Sequence, residues 1–253
     1  TTTCPAAVET QGATTVDAGK LREIVNAASP GSQLSFELGG DDGDPRLTVK
    51  SGRSRFRLPV LSPDVYPTIP DADWTVTFDI DAGTLADMLA RTVFAAGTEM
   101  SKPALIGTYM TVTGENIVAV GCSGRRFATV KTTAPDDARD MPSIIIPTKA
   151  VHQVVKLLGD TGDAAVSVAA NKWRVSANGA TIPGKVVDYP YLEYQRGVPA
   201  DIPHVAYAGR DALIGCVRRA LIAGESDKVG VGIRMTFTPG LLTVTGRNPD
   251  EEA

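Results

Sequence analysis

Cysteine is scarce in this 253-residue chain, with only Cys4, Cys122 and Cys216. Their odd number, wide separation and lack of C-x-x-C spacing exclude a disulfide framework and a zinc knuckle. The two histidines, His152 and His204, are too few and too isolated for a His-based metal centre. No metal or cofactor is therefore expected. No apolar run approaches the roughly 20 residues that a spanning helix needs, and the N-terminus carries no basic-then-apolar leader pattern. The expectation is a soluble, cytoplasmic chain with reduced thiols and no membrane contact. Positive charge is also in short supply, with 25 Lys and Arg against 29 Asp and Glu and a net of −4. A body coated throughout in cations is excluded, so any polyanion has to meet a locally basic surface. With 43% hydrophobic and 21% charged residues, the composition is that of a globular protein of one large domain or two ordinary ones.

Two kinds of segment alternate along the chain. The first is an amphipathic helix followed by strands. Residues 16–28 put Leu21, Ile24, Val25 and Ala28 on one stripe, and strands are predicted at 34–38, 47–50 and 55–61. The same order returns at 147–158, where Val151, Val154, Val155 and Leu158 form the stripe. Strands at 165–169 and 173–177 follow, and then a strand into Lys185. The second kind is strand, turn and helix and then further strands. It occurs at 78–94 with strands at 109–113, 117–121 and 127–131, and again at 205–222 with strands at 232–238 and 241–245. Strand, turn and strand match in length between 112–121 and 237–246. The chain opens on Thr1-Thr2-Thr3-Cys4 and closes on Pro249-Asp250-Glu251-Glu252-Ala253, which reads as truncation. One complete unit is expected at 75–199, between the back half of another (1–74) and the front half of a third (200–253). An isolated half leaves an apolar sheet face and a helix stripe to be buried against a mate.

Several stretches carry a family resemblance: Ser51-Gly52-Arg53-Ser54-Arg55-Phe56 with Pro63-Asp64-Val65-Tyr66-Pro67, then Ser143-Ile144-Ile145-Ile146-Pro147-Thr148-Lys149, Lys185-Val186-Val187-Asp188, Arg196-Gly197-Val198-Pro199, and the terminal Asn248-Pro249-Asp250-Glu251-Glu252-Ala253. In order and spacing they resemble the bacterial DNA polymerase III beta subunit, the replicative sliding clamp. The resemblance implies an α+β fold, the DNA clamp (processivity) fold: tandem repeats of helix plus antiparallel strands, with sheets outside and helices lining a ring. It also implies a non-catalytic replication protein that encircles duplex DNA as a head-to-tail homodimer and tethers the polymerase III catalytic subunit. Clamp loader and repair proteins would dock on it through short clamp-binding peptides.

The helices can be tested for that role. Segments 16–28, 81–93, 147–158 and 209–222 hold eight cations, Lys20, Arg22, Arg91, Lys149, Lys156, Arg210, Arg218 and Arg219, against five acids. The helices sum to +3 and the remainder to −7, the sign pattern expected of a DNA-encircling ring. These eight are the candidate DNA-facing residues. The peptide cleft implied by the resemblance has Cys122, Gly124, Arg125, Arg126 and Phe127 in a turn, with Leu105, Leu192, Arg196 and Gly197 completing its wall. Arg125 and Phe127 stand where the family has His and Leu, and Leu192 where it commonly has Pro, so the peptide preference is expected to differ. Glu99, Pro103 and Ala104 replace a Gln and paired Tyr residues, and no DNA contact is carried over to that loop.

Two rival readings are weaker. A thiol dyad of Cys122 and His152 lacks a nucleophile context. Residues 38–43 are Gly-rich but have neither the P-loop Lys nor calcium-loop spacing, and read as a hairpin loop. A β-rich assembly scaffold without DNA binding remains as the alternative, and it predicts no clustering of cations on the helices.

Overall fold

The computed structural model describes residues 2–40, 44–66, 72–99, 102–199, 201–224 and 232–247. The terminal stretch 248–253 and the tip 41–43, both named above, lie outside them, as do Pro67 and residues 100–101 of the loop at 97–104. Residues 1–192 and 193–253 form two compact units.

The first unit opens with a short strand β1 (Thr15–Val16), helix α1 (Ala18–Ala27) and strands β2 (Leu34–Gly39), β3 (Arg46–Ser51) and β4 (Ser54–Leu61). Helix α1 starts at Ala18, behind its cap Asp17, rather than at Val16. The Asp17 carboxylate accepts the Lys20 backbone N–H at 2.7 Å, a side-chain cap that fixes the boundary. Val16 instead pairs with Val60, giving an antiparallel sheet in the order β1-β4-β3-β2. Leu47, Val49, Leu58 and Val60 form its small core, with Leu21 and Ile24 of α1 packed on them.

The central part holds β5 (Val76–Asp81), α2 (Ala82–Val93), β6 (Gly107–Thr113), β7 (Asn116–Cys122), β8 (Phe127–Thr133), β9 (Ile144–Pro147), α3 (Thr148–Leu158), β10 (Asp163–Val168), β11 (Lys172–Ala177) and β12 (Ala180–Lys185). Each helix is bounded by local chemistry. Asp81 caps α2 by accepting from the backbone N–H and hydroxyl of Thr84, both at 2.7 Å. Helix α3 ends at Gly159 with φ +68, and its last carbonyls, of Leu157 and Leu158, take hydrogen bonds from Asn178 at 2.9 and 3.1 Å. Leu85, Met88 and Leu89 on α2 and Val151, Val154 and Leu158 on α3 are almost wholly buried, as the stripes require.

The two modules exchange their first strands. β5 leaves its own module to pair with β10, giving the order β12-β11-β10-β5, while β9 pairs with β6, giving β8-β7-β6-β9. Helices α2 and α3 pack on each other, and one core joins both sheets and both helices. At the tightest point β7 passes under α2. A Cβ on Gly121 would run into the Thr92 carbonyl, so only glycine fits there.

The second unit contains α4 (Arg210–Gly224) and the hairpin β13 (Gly232–Thr238) and β14 (Leu241–Arg247), with the helix packed on both strands. Residues 205–208, predicted as a strand, form none. The corresponding β5 exists because β10 offers it an edge, and among the described residues no strand offers one to 205–208.

Candidate nucleic-acid and peptide interface

The solvent face of each helix carries its cations, but they are not equivalent. On α3, Lys149, His152 and Lys156 lie on the exposed side opposite the buried valines, and no acid within the helix offsets them. On α2, Arg91 is held by Asp87 at 2.7 Å one turn earlier, so that face is close to neutral. Lys20 sits 3.9 Å from Glu23 on α1, while Arg22 makes no ion pair among the described residues. In the second unit Arg210 is tied to its neighbour Asp211 at 3.0 Å. Arg218 and Arg219 are exposed, and the Arg219 guanidinium donates to the Cys216 sulfur at 3.3 Å. Of the eight candidates, Arg22, Lys149, Lys156, Arg218 and Arg219 thus keep their charge unopposed by any described carboxylate.

Basic residues are not confined to helices. The solvent face of the first sheet presents Arg46, Lys50, Arg55 and Arg57. Arg46 pairs with Asp44 at 2.8 Å and Lys50 with Glu37, whose carboxyl is held below its usual range by that hydrogen bond and charge. The whole-chain charge tally missed this patch because it summed the remainder without regard to faces.

A separate cavity of about 420 Å³ opens beside the turn that follows β7. It is lined by Leu105, Arg125 and Arg126 from the expected set. Gly97, Thr98, Glu99, Lys102 and Ser123 also line it, although the sequence showed 97–102 only as a loop. The turn is built by Gly124, with φ +84, and Ser123, whose hydroxyl accepts the Arg126 N–H at 3.2 Å. Cys122 does not line the cavity. It ends β7 with 8% exposure, and its sulfur accepts the Gly124 N–H at 3.4 Å. Phe127 and Leu192 are absent from the lining too. Phe127 is 39% exposed as the first residue of β8, in register with Cys122. Leu192 closes the first unit at 38% exposure. Arg196 and Gly197 belong to the second unit, where Arg196 is ion-paired with Glu193.

Behind the turn, Tyr191 stacks on Tyr109 with ring centroids 4.4 Å apart and planes within 1°. Its hydroxyl donates to the Val120 carbonyl at 3.5 Å, and burial pushes its pKa well above the usual phenol value, with Cys122 and Tyr109 adding to the shift. The phenol therefore stays neutral and clamps the 187–191 segment to β6 and β7. Residues 82 positions apart give no periodic signal, so the stack was not legible in sequence. Among the described residues no three His, Cys, Asp or Glu side chains gather into a metal-binding group, and no helix is long and apolar enough to cross a membrane.

This geometry can be set beside known proteins. Residues 79–191 match the family described as DNA polymerase III beta subunit, central domain. The chain is 30% identical to the beta sliding clamp of Caulobacter vibrioides NA1000 over 249 residues, covering 96% of this chain and 66% of that one. Its residues 79–191 belong to the DNA polymerase III beta-subunit family. The Escherichia coli K12 beta sliding clamp is 29% identical over 95% of this chain, which covers 64% of its length. The chain thus spans just under two thirds of these curated relatives. A crystal structure of the C. crescentus clamp superposes with TM-score 0.86 at 28% identity, covering 96% of this chain and 65% of that one. The Pseudomonas aeruginosa clamp bound to griselimycin also gives TM-score 0.86, at 26% identity, over 94% of this chain and 63% of that one. The fold is the α+β sliding-clamp fold.

Proposed function

We propose that this chain acts as part of a replicative sliding clamp: a non-catalytic ring subunit that encircles duplex DNA, tethers DNA polymerase III for processive synthesis, and serves as a docking platform. In this reading residues 1–74 are the C-terminal half of one clamp domain, 75–199 a complete second domain, and 200–253 the N-terminal half of a third. Its partners are double-stranded DNA held without sequence readout, the polymerase III catalytic subunit, the clamp loader, other clamp-binding-motif proteins and further clamp subunits. It needs no cofactor and works in the cytoplasm.

The observation that carries the reading is the fold match with sliding clamps over nearly the whole chain, together with the unopposed cations on its helices. A ring needs only weak phosphate contacts because topology, not affinity, retains it, and an acidic body with cationic helices suits sliding. The scaffold alternative gives no reason for the solvent side of α3 to carry Lys149 and Lys156 with no acid in the helix to offset them. The cavity at Leu105, Arg125 and Arg126 suits a short peptide with an apolar anchor on Leu105 and a carboxylate near the two guanidinium groups.

The test is topological. The assembled protein, loaded on circular DNA by a clamp loader, is expected to co-migrate with the circle and to be lost when the circle is cut. Retention on the linear molecule refutes the clamp. For the cleft, Leu105→Asp is expected to abolish polarisation of a labelled clamp-binding peptide while leaving the thermal melt unchanged. Unaltered binding removes the cavity from the proposal.

A further inference from the structure

Helix α3 carries one side chain that the clamp reading leaves without a role. His152 is exposed on the same stripe as Lys149 and Lys156, three residues after the first and four before the second. At 1.5 Å of rise per residue it stands about 4.5 Å along the axis from one lysine and about 6 Å from the other, so the three heads form one row. The remaining exposed residue of the helix, Gln153, is uncharged. A thiol dyad gives His152 no role either, because Cys122 is buried and its sulfur is engaged by the Gly124 N–H.

The elements around this row leave the imidazole free. Helix α3 packs on α2, β6, β9, β11 and β12. On β11, Trp173 and Val175 enter the core with Val151 and Val154, so Lys172 and Arg174 alternate onto the side of the sheet away from the helix. Lys185 of β12 is in register with Lys172 and shares that far side, and Tyr109 of β6 is taken up by its stack on Tyr191. Strand β9 has no titratable residue. On α2, Asp87 and Arg91 are exposed but bonded to each other, and the Asp81 carboxylate is occupied in capping the helix through Thr84. Asp160 and Asp163 follow Gly159, where the chain leaves the helix about two turns beyond His152. Among the described residues nothing thus engages the ring, and its nitrogens are open to a ligand from solvent.

Imidazole is the side chain that gains or loses its charge between pH 5 and 8, and a phosphate beside it favours the charged form. We propose that His152 is a third phosphate contact of α3, made by its imidazolium, so that this helix grips DNA through three cations when the ring is protonated and through two when it is not. The contact rests on the clamp reading, in which Lys149 and Lys156 face the duplex. It makes a proton part of the binding event, since DNA that engages His152 takes one up from solvent wherever the free ring is neutral.

The slope of log K against log salt counts phosphate contacts, so the test is that slope at two pH values, read by fluorescence anisotropy with a short labelled duplex. For the wild type it is expected to be greater at pH 6.0 than at pH 8.0 by about 0.5–0.9. Affinity lost between 50 and 200 mM salt is then greater at pH 6.0 by about two- to fourfold. His152→Gln, which stays polar but takes no charge, is expected to give the lower slope at both pH values, and His152→Lys the higher one at both. His204→Gln, in the other unit, should behave as wild type. Melts of all three variants should match the wild type, because these side chains are exposed. Removing Lys149 and Lys156 together checks the clamp reading separately, and should lower the slope at either pH. If it does, and the wild-type slope is nevertheless the same at pH 6.0 and 8.0, the His152 contact is refuted while the clamp stands. It is refuted equally if His152→Gln keeps the pH dependence, or if His152→Lys leaves the slope at pH 8.0 unchanged. If losing both lysines changes nothing at either pH, the placement of α3 against DNA fails and the His152 contact falls with it.

Discussion

If the solvent face of α3 meets DNA, removing its two lysines should change the salt dependence of binding by a calculable amount. Lys149 and Lys156 are seven residues apart, about 10.5 Å along the helix axis, so both can reach phosphates of a duplex that carries a charge every ~1.7 Å of its length. Each neutralised phosphate contributes about 0.9 to the slope of log K against log salt. Lys149→Ala with Lys156→Ala should therefore lower that slope by about 1.8. Between 50 and 200 mM salt, the wild-type loss of affinity would exceed the variant's by roughly tenfold. Arg91 is a built-in contrast because Asp87 already opposes it at 2.7 Å. Arg91→Ala should change the slope by less than one lysine does, and Asp87→Ala should raise it by up to about 0.9 by releasing the guanidinium. Fluorescence anisotropy with a short labelled duplex across a salt series reads all four proteins, and thermal melts should coincide because every altered side chain is exposed. An unchanged slope in the double lysine variant refutes the assignment of α3 to the DNA side.

Three further outcomes follow from the packing. Gly121→Ala forces β7 away from the Thr92 carbonyl. An overpacking cost of about 1–3 kcal/mol should lower the melting temperature of the central domain by roughly 5–20 °C, whereas Gly39→Ala, with open space around it and no left-handed φ, should cost far less. Val154→Ala, at a position with no solvent exposure, should cost about 2–3 kcal/mol in denaturant unfolding, and Ile24→Ala at the equivalent, partly exposed position of α1 clearly less per methyl group removed. The Asp81 carboxyl is held below its ordinary value of 3.8 by hydrogen bonds from the Thr84 side chain and backbone. A depressed acid stabilises the fold above its unfolded pKa and loses that contribution as pH falls through its folded pKa. Asp81→Asn should therefore melt below wild type at neutral pH, with the gap closing as pH drops below about 4.

Much of this fold is legible in the sequence because its helices are governed by local rules. The apolar stripe at 151, 154, 155 and 158 bounded α3 to within one residue, and the matching turns at 113–116 and 238–241 revealed the repeat. What escapes is choice of neighbour. Pattern marks a strand at the start of 78–94 but is silent on which edge it takes, and the continuous apolar run 144–147 carries no alternation, so the exchange between β5 and β9 was invisible. The same gap explains the strand expected at 205–208, where pattern is present and a ladder is not. At the peptide cavity the turn 122–127 was readable from Gly124 and its flanking strands. The opposite wall, Gly97, Thr98, Glu99 and Lys102, was not, since a loop's position depends on the backbone bond from Gly97 to the Leu105 carbonyl rather than on pattern.

The crossing of β5 and β9 means that neither half of the central domain owns a finished sheet. A protease cut anywhere in 134–143 would leave two pieces still knitted by four-stranded ladders on both sides. Two such halves expressed from separate genes would have to find each other before either could hold its shape.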